Sequence, residues 1–498
     1  MNVNPITRLD YPDPDVIRVE DTYYMVSTTM HFMPGCEILQ SFDLVHWEHA
    51  TYVYETLDHT DAQQLKSGQN IYGQGMWAAS LRYHEGRFYI CFVANDTRKT
   101  YLYTSEKIDG PWKKQLIEGF YHDGSLLFDE DGRNYIVYGN DEIWITELNE
   151  DLTAPKKDGL HRLLVSDHKN PKLGYEGSHI QKINGYYYIF LIHSLRDRWM
   201  RTEACFYSDS LEGEFTGGDV LCDDRGYCGQ GVAQGGIVDT PDGKWYAMLF
   251  QDSGAVGRLP ILLPVTWKDH FPVFGQNGHV PEEIEVHSTR PGYIYQPLVG
   301  SDDFCNGLLP RWQFNHDPDP QYYHLDALQG TYTITTREVC TELTQAVNTL
   351  TQRMSYPSCA AEVTVDASAL KEGDVAGLCA FQGCYAAVGI TKHHGKYEVL
   401  MLDKKEDGIL DITEGTVVES HQMDFRLEAD FCNMKDEARC YYRVNKGDWL
   451  PIGTVHKLYF KLDHFTGCRF GLFCYAAEET GGSACFRDFK YYDVDEIS

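Results

Sequence analysis

Three carboxylates, Asp13, Asp123 and Glu176, stand at the same place in a recurring local pattern of this chain. Each opens a short segment that runs into a tight turn and then an aromatic stretch, as in Glu176-Gly-Ser-His-Ile-Gln-Lys-Ile-Asn-Gly-Tyr-Tyr-Tyr-Ile189. Two carboxyls held about 6.5–9.5 Å apart in one pocket can split a glycosidic bond with inversion: one takes a proton from water while the other protonates the leaving oxygen. The acid partner must keep its proton near neutral pH, and a third carboxylate close by raises its pKa through like-charge repulsion. In that scheme Asp13 and Glu176 take opposite sides of the pocket, and Asp123 tunes and orients Glu176. Alone, each residue also fits a plainer role. Asp13 in Tyr11-Pro-Asp-Pro14 and Asp123 before Gly124 suit turn aspartates, and Glu176 before Gly177 suits a solvated loop acid.

What brings such residues together is a repeat. Five units share the pattern, beginning at Asp13, Trp77, Asp123, Glu176 and Gln234. In units two to five a turn glycine (Gly86, Gly132, Gly185, Gly243) lies nine residues after the first position, and a tyrosine (Tyr89, Tyr135, Tyr188, Tyr246) follows three later. Unit one is a residue shorter in the turn, with Tyr24 as the counterpart. Glycine supplies the positive φ of a tight hairpin, and the aromatic packs between sheets. Unit starts fall roughly 45 to 65 residues apart, room for one four-stranded blade each, so the pattern predicts a five-bladed β-propeller. The innermost strand of each blade begins at one mouth of the central channel, so the five first positions converge there. Trp77 then offers a flat face to a sugar ring, and Phe32, in Thr29-Met-His-Phe-Met-Pro-Gly35, is expected to form a wall.

Composition agrees with an all-β protein of more than one domain. The 498 residues are 43% hydrophobic with 34 Tyr and 23 Phe, rich in Asx-Gly turns and poor in helical periodicity. A formal net charge of −31 argues against nucleic acid or an anionic membrane as partner. No stretch reaches the roughly 18 apolar residues of a membrane span. Fifteen scattered cysteines without Cys-x-x-Cys pairs indicate neither a zinc site nor a disulfide framework. With no apolar leader after Met1-Asn-Val-Asn-Pro-Ile6, the expected compartment is the cytoplasm.

From Ser301-Asp-Asp-Phe304 onward the alternating strands, among them Ala361-Glu-Val-Thr-Val365 and Phe470-Gly-Leu-Phe-Cys-Tyr475, suit a β-sandwich. His393-His394 before Gly395 reads as a hairpin turn, not a metal site. The expected domains are a propeller over 1–298 and a sandwich over 299–498.

Asn4-Pro-Ile6, Tyr11-Pro-Asp-Pro14, Met33-Pro-Gly35, Ser41-Phe-Asp-Leu-Val-His-Trp47, Met76-Trp-Ala78, Leu81-Arg-Tyr83, Asp123-Gly-Ser-Leu126, Glu176-Gly-Ser-His179 and Gly257-Arg258 together carry a resemblance. Over essentially its whole length the chain resembles glycoside hydrolase family 43, inverting β-xylosidases and α-L-arabinofuranosidases on five-bladed propellers. Trp312-Gln-Phe-Asn-His316 and Ala484-Cys-Phe-Arg-Asp-Phe489 resemble the concanavalin-like jelly roll that follows the propeller in many members. The resemblance implies Asp13 as general base, Glu176 as general acid, Asp123 as pKa modulator and orienter, and Arg258 as a substrate-binding cation. Trp77 and Phe32 fall where the family lines its pocket with aromatics. In unit five many members carry a histidine near an axial metal or water, where this chain has Gln234 in Ala233-Gln-Gly-Gly236. No metal ligand is therefore assigned, no cofactor is required, and an axial structural calcium is left open, with Gln234 taken as a substrate-pocket residue.

The function so implied is exo-acting, inverting release of a terminal pentose, α-L-arabinofuranose and/or β-D-xylose, from xylan- or arabinoxylan-derived oligosaccharides. The alternatives are a β-D-xylosidase only, or a non-catalytic, lectin-like propeller.

Overall fold

A computed structural model describes residues 3–461 and 466–493. Between Asp15 and Phe274 the chain forms five antiparallel sheets of four or five strands, one per predicted unit. Their innermost strands are Asp15–Val19, Ser80–His84, Ser125–Phe128, Glu176–Ile183 and Ile237–Asp239, each hairpin-paired with the next strand of its blade. The turn glycines behave as expected: Gly86, Gly132, Gly185 and Gly243 all take φ between 77° and 85°. In the shorter first unit Glu20 takes φ 56° instead.

Strand alternation divides each blade between two neighbours. Tyr187, Ile189 and Leu191 pack with Leu127, Tyr135 and Val137 of blade three. Their alternates Tyr188 and Phe190 pack with Ile237, Leu249 and Ile261 of blade five. The same division yields a core between every pair of blades, and the last, between blades five and one, closes the ring. Closure is reinforced by the N-terminal segment along the strand Arg258–Lys268: Ile6 N donates to Pro260 O and Tyr11 N to Arg258 O. Residues 275–300 then run back over the propeller, with Ile284 in that closing core and Tyr293 and Gln296 donating to Glu48.

The second unit is a sandwich of one eight-stranded and one seven-stranded antiparallel sheet enclosing a continuous apolar core. The expected strands Ala361–Val365 and Phe470–Tyr475 lie within Ser358–Asp366 and Arg469–Tyr475, and His394 and Gly395 make a positive-φ hairpin turn. The last residues of the expected 299–498 domain, 494–498, lie outside the described residues.

One edge of the eight-stranded sheet belongs to the propeller. Phe32–Met33 pairs with Gln313–Asn315, so Phe32 is wholly buried against the sandwich, under the Arg469 guanidinium at 3.4 Å from its ring. This corrects the expectation that Phe32 walls the pocket: strand pairing across the domains turns its ring away from the channel. Arg353 adds to the junction, donating to Asp10 O at 2.9 Å and pairing with Glu37 at 2.8 Å.

Candidate active site

All five first positions of the repeat, Asp13, Trp77, Asp123, Glu176 and Gln234, line one cavity of about 230 Å³ at one mouth of the propeller. Arg258 lines it too. So do residues outside the pattern, notably His122, Asn140, Trp199 and Arg201.

Local backbone aims each acid. Asp13 and Asp123 take left-handed φ values of 53° and 48°, and Gln234 takes 61°. In blade four the positive φ, 67°, falls on Gly177 just after Glu176, where a bulge puts two residues, Gly177 and Ser178, against one of the partner strand, Leu191. The bulge re-aims Glu176 out of the ladder. A side chain at Gly177 would collide with Gln234, whose Cγ lies 2.7 Å from where a Cβ would stand.

Asp13 is fully paired. Thr28 Oγ1 donates to Oδ2 at 2.6 Å, and Arg258 Nη1 donates to Oδ1 at 2.8 Å. Arg258 also donates through Nε to Asp252 at 3.2 Å, and Arg201 Nε reaches the other oxygen of Asp252 at 2.8 Å. Burial opposes the charge on Asp252, but the two arginines outweigh it and hold its carboxyl below the usual range. Both guanidiniums lie over the ring of Phe250, and Phe460 of the sandwich approaches Arg258 from 5.9 Å. The accessory domain thus reaches the site through Phe460.

Across the cavity, Glu176 Oε2 accepts from Asn140 Nδ2 at 2.8 Å, and His122 Nε2 lies 3.6 Å away. The same nitrogen is 3.5 Å from Asp123 Oδ2, which also accepts from Gly177 N at 2.9 Å. Burial disfavours the His122 cation, yet the charge of Asp123, the approach of Glu176 and the charge of Asp13 push its pKa up to about 9. Asp123 is pushed up to about 6 by burial, with His122 opposing and the Glu176 and Asp13 charges adding. For Glu176 burial works upward, but His122 and then Arg201 and Arg258 prevail and keep it below its ordinary value. The expected pairing of Asp123 and Glu176 therefore has a third member. In the free site the imidazolium holds Glu176 ionised, against the simple repulsion anticipated from two carboxylates.

His122, Asp123 and Glu176 bring one nitrogen and two carboxylate oxygens within 4.8 Å of one another, the one such cluster among the described residues. A charged imidazole facing two carboxylates accounts for that arrangement as an ion-paired trio. On the axis below, the donor set does not suit a divalent cation. Gln234 gives its N–H to Glu203 Oε2 at 2.7 Å and lays its side chain against Gly177, and the Arg82 guanidinium fills the centre of the channel.

Of the residues missed, His122 is adjacent to Asp123 and carried no spacing of its own. Asp252 is the cross-strand partner of Arg258 across the turn between Trp245–Asp252 and Arg258–Lys268, a pairing that the position of Arg258 itself implies. Arg201 and Trp199 lie at the entry to the third strand of blade four, beyond the reach of a pattern built on first and second strands.

A family model described as glycosyl hydrolases family 43 matches residues 3–272, and one described as the beta xylosidase C-terminal concanavalin A-like domain matches 301–492. A bifunctional GH43-CE protein of Bacteroides eggerthii is 42% identical over 99% of this chain with a TM-score of 0.92; this chain spans 64% of that chain's length. A beta-xylosidase of Formosa agariphila is 26% identical over 99% of this chain and 89% of its own. A xylosidase/arabinosidase of Butyrivibrio fibrisolvens is 24% identical over 99% of both.

Proposed function

The chain belongs to glycosyl hydrolases family 43 and is a glycoside hydrolase; from that membership and the cavity we propose an exo-acting, inverting enzyme that releases one terminal pentose, α-L-arabinofuranose or β-D-xylose, from xylan-derived oligosaccharides. The observation that carries this reading is the cavity itself: it is small, about 230 Å³, with Asp13, Glu176, Asp123 and Arg258 all on its lining. Pockets for drug-sized ligands run to about 300–1,000 Å³, so this smaller space suits one sugar ring. The relatives named for xylosidase and arabinosidase activity support a pentose as that ring. The fifteen free thiols favour a reducing compartment, the cytoplasm.

In the proposed reaction Asp13, oriented by Thr28 and Arg258, removes a proton from water as its oxygen attacks the anomeric carbon. The proton that His122 and Glu176 share is on Glu176 when the glycosidic C–O bond breaks; Glu176 passes it to the departing oxygen, and the sugar leaves with inverted configuration. Trp77 and Trp199 offer apolar faces, and Arg201 and Arg258, both held by Asp252, form a fixed polar wall.

The test pairs the two nitrophenyl pentosides with NMR observation of the first-formed anomer, then repeats the kinetics in Glu176→Ala. Expected are an inverted anomer and a loss of about 10²–10⁴-fold on oligosaccharides that is much smaller on aryl pentosides, whose leaving groups need less proton donation. A retained anomer, or equal loss on both substrate types, refutes the mechanism. Sugar binding without hydrolysis of any glycoside would return the lectin-like alternative.

A further inference from the structure

Below the acids a second tier of residues runs through the propeller, one step further along each innermost strand. Asp15 follows Asp13 by two residues, Ser125 follows Asp123 by two, and His179 and Ile180 follow Glu176 by three and four. Arg82, from the innermost strand of blade two, reaches all of these strands. Its Nε donates to Leu126 O at 2.9 Å. Its Nη1 donates to Asp15 Oδ2 at 2.8 Å and to Leu81 O at 2.6 Å. Its Nη2 donates to Ser125 Oγ at 2.7 Å and to Ile180 O at 3.2 Å. Every N–H of the guanidinium is used, on four of the five blades.

Its partners are themselves tied together. Asp15 Oδ1 meets His179 Nδ1 at 3.0 Å, and Asp15 Oδ2 accepts from Leu81 N at 2.7 Å. Ser125 Oγ also accepts from Ile180 N at 3.0 Å, and Ser80 Oγ accepts from Leu126 N at 3.1 Å. Asp15 is wholly buried, and an unpaired carboxylate there would carry the full cost of lost hydration. Strip away the arginine and what remains facing the axis is one carboxylate, three backbone carbonyls and one hydroxyl. That is an all-oxygen set of the kind a hard cation takes.

We propose that Arg82 is a positioning residue of this active site: its guanidinium serves as the built-in cation of the propeller axis, fixing the strands that carry Asp13, Asp123 and Glu176 relative to one another, and it takes the place of a divalent ion there. The inference rests on the catalytic roles proposed for those three acids, but its stability and chelation readouts do not depend on which sugar is cleaved. A planar fork suits the task better than a point charge, because five donors in fixed directions set the spacing of four strands at once. The site acids sit two to four residues above these bonds, so a shift of one strand is passed to its carboxylate. Displacements near 1 Å at reacting groups cost about 10²-fold in rate.

The experiment uses the full chain as wild type, Arg82→Ala, Arg82→Lys and Ser125→Ala, with kcat and KM on an aryl pentoside and thermal unfolding in parallel. EDTA is expected to leave wild-type Tm and kcat unchanged. Arg82→Ala is expected to lose about 10²-fold in kcat with KM changed less than about threefold, and millimolar guanidinium or Ca²⁺ should recover at least about tenfold by refilling the axis. Arg82→Lys and Ser125→Ala should show smaller losses of the same kcat-only kind, and they carry the test if Arg82→Ala does not fold. A fall in wild-type Tm or kcat on chelation overturns the proposal. So does a kcat loss in Arg82→Ala that neither cation recovers, or full kcat in Arg82→Lys and Ser125→Ala together. Inactivity of the wild type on every pentoside would instead refute the proposed function, leaving the Tm response to chelation and to added cation to decide the role of Arg82.

Discussion

Replacing His122 by asparagine isolates the member of the acid cluster that sequence did not reveal. Asparagine keeps a polar side chain of modest size and removes the titrating charge. Burial works against the imidazolium, and the carboxylates of Asp123, Glu176 and Asp13 outweigh it: the net rise from the ordinary histidine value of 6.5 to about 9 corresponds to about 3 kcal/mol in favour of the charged form. Because the folded value lies above the free one, this stabilisation is complete below about pH 6.5 and is lost as pH rises through about 9. For catalysis, the cluster keeps its last proton until about pH 9, and the share of that proton residing on Glu176 is constant over the window below. Wild-type kcat/KM on a xylo-oligosaccharide should therefore run flat through neutrality and fall with a basic limb near pH 9. In His122→Asn that proton must sit on a carboxyl. Asp123 is already at about 6 with the imidazolium opposing it, so the limb should fall between those two values, one to two pH units or so below wild type. At acidic pH the variant should match or exceed wild type, since Glu176 is no longer held ionised. The measurement is kcat/KM against pH from 5 to 10 on the oligosaccharide and on a nitrophenyl pentoside, the latter showing the weaker shift. A basic limb at the same pH in both proteins would refute the electrostatic account of the site.

Two further substitutions test the geometry. Gly177→Ala places a Cβ 2.7 Å from Gln234 Cγ at a φ of 67°, and it should cost about 1–3 kcal/mol of stability while lowering kcat through the displaced Glu176, read by thermal melts and initial rates. Phe32→Ala should destabilise the junction with the sandwich by about 3–5 kcal/mol in denaturant titration and leave KM for aryl pentosides unchanged, the opposite of what a pocket wall would do.

The parts of this fold that sequence reveals are those set by near neighbours. A hairpin glycine needs positive φ wherever the chain folds, and the tyrosine three residues on finds a neighbouring blade through strand alternation alone. Register at Gly86, Gly132, Gly185 and Gly243, with Tyr24 in the shorter first unit, is therefore enough to locate five strand starts, and with them five residues of the cavity lining. Phe32 escaped the same reasoning because its surroundings are decided by Gln313–Asn315, nearly three hundred residues away. His122 escaped for a different reason. Its importance lies in the shared approach of two carboxylates at 3.5 and 3.6 Å, and a histidine before an aspartate has no spacing that announces this.

The strained residues explain why the repeat gathers its first positions at one mouth. Asp13, Asp123 and Gln234 hold left-handed backbone at φ 53°, 48° and 61°, a region that disfavours side chains and costs on the order of 1–3 kcal/mol per residue. Each stands just before its blade's innermost strand, so the left-handed turn swings the chain off the ladder and points the side chain at the axis. The cost is offset where those groups are anchored: Thr28 and Arg258 on Asp13, Gly177 N on Asp123, and Glu203 on the Gln234 backbone. Glu176 escapes the strain because Gly177 and the bulge do the same turning at a residue without a side chain. The acid assigned the proton thus sits on the least strained support of the three, and its oxygen Oε2 is held by Asn140 from the neighbouring blade. Placement of the reacting oxygens is in this way inherited from backbone torsions and from the axial bonds of Arg82, so small changes at Gly177 or Arg82 should disturb kcat more than they disturb sugar binding.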